Sequence, residues 1–125
     1  MKNELTPIKV GGKNMRVKRS KTTSKTPEGK VKDKIREMLD ATPNCYWFFP
    51  VANGYNVSGI PDIIACVNGK FFGIEVKSNK TTHPVTRLQA KNLEMIRSAG
   101  GTALVIDENS LEDLKTILNI YSKGL

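Results

Sequence analysis

The dipeptide Asn68-Gly69, set inside the stretch PDIIACVNGKFFGIEVK at residues 61–77, constrains the fold more than any other feature of the chain. A two-residue type I′ turn needs positive φ at both central positions, which Asn and Gly tolerate best, so the flanking apolar runs are expected to pair as a hairpin. With those two residues as the turn, Val67 pairs with Lys70, Ala65 with Phe72, Ile63 with Ile74 and Asp62 with Glu75. Directly opposed residues project from one face with Cβ atoms about 5 Å apart. Asp62 and Glu75 therefore face each other, and Lys77, two residues beyond Glu75, projects from the same face. Ile63, Ala65, Phe72 and Ile74 point the other way and supply core. The acids' face also carries Ile64, Cys66, Phe71 and Gly73, so the charges cluster at one end of a largely apolar strand pair. Gly73 leaves room there for a neighbouring segment.

Two carboxylates this close repel and raise a pKa unless positive charge sits between them. Lys77 can supply that charge, and so can a divalent cation. Hard oxygen ligands at this separation suit magnesium or manganese, which keep waters and substrate phosphates as their other ligands. A lysine beside such an ion is placed to orient a water or to stabilise charge on a phosphate. A solvated ion network on an amphipathic strand is the commoner fate of charged residues in this pattern. Spacing alone does not choose between the two.

Around the hairpin, the pattern predicts helix, strand, strand, strand, helix, strand, helix, which packs as an α/β domain with a central mixed sheet of about four strands flanked by helices. Thr26-Pro27-Glu28 opens the first helix with an N-cap, a proline and a first-turn acid. Val31, Ile35, Met38 and Leu39 give its apolar stripe, and Thr42-Pro43-Asn44 ends it. Glu28 lies on the inward side of that stripe, where the helix dipole alone also favours an acid. CYWFFPV at 45–51 reads as a buried strand stopped by Pro50, with Tyr46, Trp47, Phe48 and Phe49 assigned to the core or to a dimer surface. ANGYNVSGI at 52–60 and SNKTTHPV at 78–85 read as polar loops. Thr86 caps the next helix, with Gln89 as the reciprocal half of a capping box, and Leu88, Met95, Ile96 and Ala99, with polar Asn92 among them, form its expected packing face. Gly100-Gly101 stops it. TALVID is a short strand, and Ser110 with Asp113 resembles a capping box for the last helix.

The formal net charge of +8 is concentrated in one place. Residues 1–25 hold eight of the 20 Lys and Arg and one of the 12 acids, leaving 12 bases and 11 acids in residues 26–125. The first segment reads as a flexible basic leader, suited to phosphate contacts with counterion release, with a merely solvated leader or a transit peptide as the alternatives, and the second as a single domain. No apolar run reaches the ~18 residues of a membrane span. Cys45 and Cys66 lack metal-ligand spacing and read as buried free thiols of a reducing cytoplasm.

Pro61-Asp62, twelve intervening residues and Glu75-Val76-Lys77 resemble the PD-(D/E)xK nuclease superfamily, whose members share a restriction-endonuclease-like fold. The wider string PEGKV, GYNVSGIPDII, GKFFGIEVK, TRLQ, AGG and ALVIDE is similar to the VRR-NUC family, in particular its small stand-alone bacteriophage members, over roughly residues 26–108. That resemblance implies a VRR-NUC domain over 26–125. It implies metal ligation by Asp62, Glu75 and the Val76 carbonyl, with Glu28 as a further acid, and catalytic roles for Lys77 and Gln89. It also implies dependence on magnesium or manganese, cleavage of duplex or branched DNA such as Holliday junctions, and a homodimer, in a bacterial host's cytoplasm if phage-encoded. Tyr55, Asn56 and Ser58 before the acid pair, and Lys80, His83 and Arg87 after it, are the candidate nucleic-acid contacts. The alternative is a DNA-binding module of the same fold that has lost catalysis.

Overall fold

The computed structural model of the chain describes residues 24–51 and 58–124. The elements run α1 (Pro27–Asp40), β1 (Cys45–Phe48), β2 (Ile63–Val67), β3 (Lys70–Val76), α2 (Arg87–Ser98), β4 (Thr102–Ile106) and α3 (Leu111–Ser122). This is the predicted order. The strands form one mixed sheet in the order β1-β2-β3-β4, antiparallel across the first two interfaces and parallel between β3 and β4, where α2 makes the crossover.

The hairpin has the expected register. Val67 pairs with Lys70 and Ile63 with Ile74, and the turn holds Asn68 at φ 49° and Gly69 at φ 84°. Ile63, Ala65, Phe72 and Ile74 are at most 2% exposed and join Val31, Ile35 and Leu39 of α1 and Leu114 and Leu118 of α3 in one core. Thr26 caps α1 through its hydroxyl, which accepts from Gly29 N–H at 3.0 Å.

The first strand ends at Phe48, ahead of Pro50 as expected, because proline has no N–H to extend the ladder and the Phe49 ring turns in against Trp47 (centroids 5.0 Å apart). Four expectations need correction. Neither cysteine is buried: Cys45 is half-buried, and Cys66 is exposed on the sheet face away from the core. The first strand's aromatics divide by alternation: Trp47 is buried, whereas Tyr46 and Phe48 are 66% and 43% exposed. In α2 only Ile96 of the expected apolar stripe faces the sheet. Leu88 and Met95 are exposed, and the inward residues are Leu93, Ile96 and Gln89, because polar Gln89 turns in to bond Glu75 and Lys77. Ser110 precedes α3 without capping it, since its hydroxyl accepts from Asp107 N–H at 3.0 Å instead. The loop reading of residues 52–57, with Tyr55 and Asn56, lies outside the described residues.

α1 and α3 cover one face of the sheet, and α2 covers the β3–β4 side of the other. Gly73 makes the second packing close: a Cβ there would lie 2.5 Å from Ile96 Cδ1 and 3.1 Å from Pro61 Cγ.

Candidate metal and catalytic centre

Sheet hydrogen bonding explains why the acids gather where they do. A two-residue turn makes Val67 and Lys70 exchange both backbone hydrogen bonds, and every second pair repeats this, giving Ala65/Phe72 and Ile63/Ile74. The next pair in the series is Pro61/Val76. Pro61 has no N–H, so the ladder cannot close there. The Asp62 carboxylate takes the Val76 N–H instead, at 2.8 Å from Oδ2. The Val76 carbonyl leaves the strand by the same edge, and residue 61 has no donor to offer it. The Pro-Asp pair thus ends the strand, anchors one acid and leaves the Val76 carbonyl without a donor from residue 61.

Glu75 is 2% exposed. Gln89 Nε2 donates to its Oε2 at 2.9 Å, and Lys77 Nζ lies 3.6 Å from the same oxygen. Its other oxygen, Oε1, is buried with no hydrogen-bond partner among the described residues. Burial pushes the Glu75 carboxyl up to about 8, the neighbouring Asp62 charge adds to this, and Lys77 opposes it. Without a cation, burial and the Asp62 charge therefore favour the protonated form of Glu75.

Gln89 ties the site to the start of α2. Its Oε1 accepts from Thr86 N–H at 2.9 Å and from Lys77 Nζ at 3.1 Å, while its own N–H donates to Thr86 Oγ1 at 3.1 Å. The capping box and the site contact use one side chain. Just beyond, the Glu108 carboxylate at the end of β4 accepts from Ser78 Oγ and from Asn79 N–H at 2.8 Å, and both bonds hold its pKa below the usual range. The segment leaving Lys77 is thereby pinned to the neighbouring strand end.

The structure brings Asp62, Glu75, Val76, Lys77 and Gln89 together. Glu28 sits half-buried in the first turn of α1, and no group of three or more His, Cys, Asp or Glu gathers around one point among the described residues. Exposed Lys80 and His83 lie on the loop after the site, and exposed Arg87 is the first residue of α2. Ser58 is exposed, and its carbonyl accepts from Asn92 Nδ2 at 3.2 Å. Sequence reasoning passed over Glu108, although an acid directly after a predicted strand end was a readable signal. A cleft of about 830 Å³ between α1 and α3, lined by Met38, Leu111 and Lys115, contains none of these residues.

The donor set fits a hard divalent cation. Glu75 Oε1 is a buried carboxyl oxygen with no hydrogen-bond partner among the described residues, only Asp62 Oδ2 takes the Val76 N–H, and Pro61 has no N–H to offer the Val76 carbonyl. No helix among the described residues is long and apolar enough to cross a membrane. Comparison of the chain with protein-family models, with curated proteins and with solved structures finds no match.

Proposed function

We propose that this chain is a metal-dependent DNA endonuclease of the PD-(D/E)xK restriction-endonuclease-like kind, similar to VRR-NUC nucleases, hydrolysing phosphodiester bonds in duplex or branched DNA. The observation that carries the reading is the buried Glu75 Oε1, without a hydrogen-bond partner among the described residues, beside Asp62 at a strand end where Pro61 offers the Val76 carbonyl no donor. A purely structural ion network would be expected to satisfy that oxygen.

Asp62, Glu75 and the Val76 carbonyl would hold magnesium or manganese. When bound, the ion supplies positive charge to the scissile phosphate and lowers the pKa of an attacking water. Glu75 must give up its proton to ligate. Lys77, half-buried and fixed by Gln89, holds its ammonium toward the reacting phosphate and water. Gln89 keeps Glu75 Oε2 and Lys77 in a set orientation, so that Oε1 is the free ligand. Lys80, His83 and Arg87 flank this end of the sheet and would contact phosphates, as would the basic leader. Glu28, half-buried in the first turn of α1, would be the further acid that the resemblance implies.

The test is a cleavage panel of single-stranded, duplex, flap and four-way-junction DNA in magnesium and in manganese. Wild type should cut at least one substrate, and Glu75→Ala or Lys77→Ala should lower the rate by about 10²-fold or more while remaining folded. A folded Glu75→Ala protein that cuts as wild type does would remove the proposal. DNA binding without cleavage by wild type would favour an inactive binding module.

A further inference from the structure

The register places five side chains on the outer face of β1, β2 and β3, the face that also bears the acids. Tyr46, Cys66 and Phe71 form one row across the strands, Phe48, Ile64 and Gly73 the next, and Asp62 with Glu75 the row after that. Rows along a strand are about 7 Å apart. α2 covers Gly73 but not the β1–β2 side. Tyr46 is 66% exposed, Phe71 44% and Phe48 43%, and the Tyr46 and Phe48 rings, with centroids 6.3 Å apart and tilted by 51°, do not stack on each other. The flank of α2 that carries exposed Leu88 and Met95 also carries exposed Lys91, and Asn92 on that flank bonds the Ser58 carbonyl ahead of β2. A shelf with exposed aromatics thus leads along the sheet to the acid pair, with an apolar and basic wall along one side.

An exposed apolar patch of this kind marks a binding surface. The shelf carries no acidic side chain, and it is continuous with the candidate catalytic row. Residues 26–125 are nearly neutral, with 12 bases against 11 acids, so the attraction for a polyanion comes from residues 1–25, which hold eight Lys and Arg against one acid, and from exposed Lys91 beside the shelf. We propose that this face binds a single-stranded segment of nucleic acid, its unstacked bases resting on Tyr46, Phe48 and Phe71 and its backbone running toward Asp62 and Glu75. This rests on reading the acid pair as a nuclease centre, and it narrows the substrate to DNA with a single-stranded arm or splayed end. Aromatic stacking accepts any base, so the face selects strand state and not sequence.

The experiment measures binding of a fluorescein-labelled oligothymidine and of a hairpin duplex to the full chain in EDTA, by anisotropy. Wild type is compared with the double variants Tyr46→Ala/Phe48→Ala and Tyr46→Leu/Phe48→Leu, both at exposed positions. Oligothymidine affinity should fall about 10-fold or more in both double variants, with duplex affinity changed less than about 2-fold. Unchanged oligothymidine affinity in folded double variants would overturn the proposal. So would affinity kept by the leucine variant and lost by the alanine one, which would mean apolar packing without stacking. A wild-type dimer that the alanine variant dissociates would assign the face to a second copy and overturn it too. Cleavage of the same panel in magnesium separates the two readings. Cleavage with no loss of oligothymidine binding removes the shelf alone, and aromatic-dependent binding without cleavage removes the nuclease alone.

Discussion

The two faces of the β2–β3 hairpin come from alternate residues of the same strands and follow opposite rules. The inner face, Ile63, Ala65, Phe72 and Ile74, is apolar throughout and closed by α1 and α3. The outer face changes character along its length: exposed aromatics near the turn, a glycine under Ile96, then two acids and a lysine. Burial on the inner side stabilises the hairpin, and that rigidity lets the outer side hold an arrangement that costs stability, a 2% exposed carboxylate beside another acid. Violations of ordinary packing rules confined to one face are what a functional site looks like.

The largest expected effect lies on the inner face. Phe72→Ala should lower unfolding free energy by about 3–5 kcal/mol, measured by chemical denaturation, because it empties the centre of the core. A loss under about 1 kcal/mol would mean that the inner face does not carry the fold.

Next is the pH dependence contributed by the outer face. The folded protein binds the Glu75 proton more tightly than the unfolded chain does, so the metal-free protein should lose stability as pH rises from about 4.5 to about 8. The total change from this group is on the order of a few kcal/mol. Glu108 acts in the opposite sense, with a contribution that is present above its ordinary value and lost as pH falls through its lowered one. Glu75→Gln should flatten the upper slope and leave the lower one. An identical upper slope in wild type and variant would show that the carboxyl is not strained.

The smallest effects concern α2. Leu93→Ala should cost about 2 kcal/mol and Leu88→Ala about 0.5 kcal/mol or less in thermal or chemical unfolding. Equal costs would contradict the rotation that turns Gln89 inward and leaves Leu88 on the flank.

That rotation shows where the sequence was legible and where it was not. Asn68-Gly69 specified the hairpin register, because its turn type admits few alternatives, and the opposition of Asp62 and Glu75 followed from it. Thr26-Pro27 set the start of α1 for an equally local reason. The facing of α2 could not be read the same way. Its apolar periodicity favoured Leu88 and Met95, and only contact with Glu75 and Lys77 makes an inward Gln89 the better arrangement. The aromatic run of β1 was read as a unit, while the edge of the sheet sorted it by alternation into buried Trp47 and exposed Tyr46 and Phe48. Ser110 matched a capping pattern, but Asp107 N–H competed for its hydroxyl. The roles proposed for Tyr55 and Asn56 fall on residues outside those described.

The central claim is that Asp62 and Glu75 form a seat for a divalent cation, filled by a proton when the cation is absent. Titration calorimetry with manganese at pH 7, run in two buffers of different ionisation enthalpy, measures binding and proton release together. The account predicts saturable binding with close to one proton released per ion, since ligands must deprotonate to bind, and loss of both in Glu75→Gln. No binding at millimolar manganese, or equal binding and proton release in the folded Glu75→Gln protein, would contradict it.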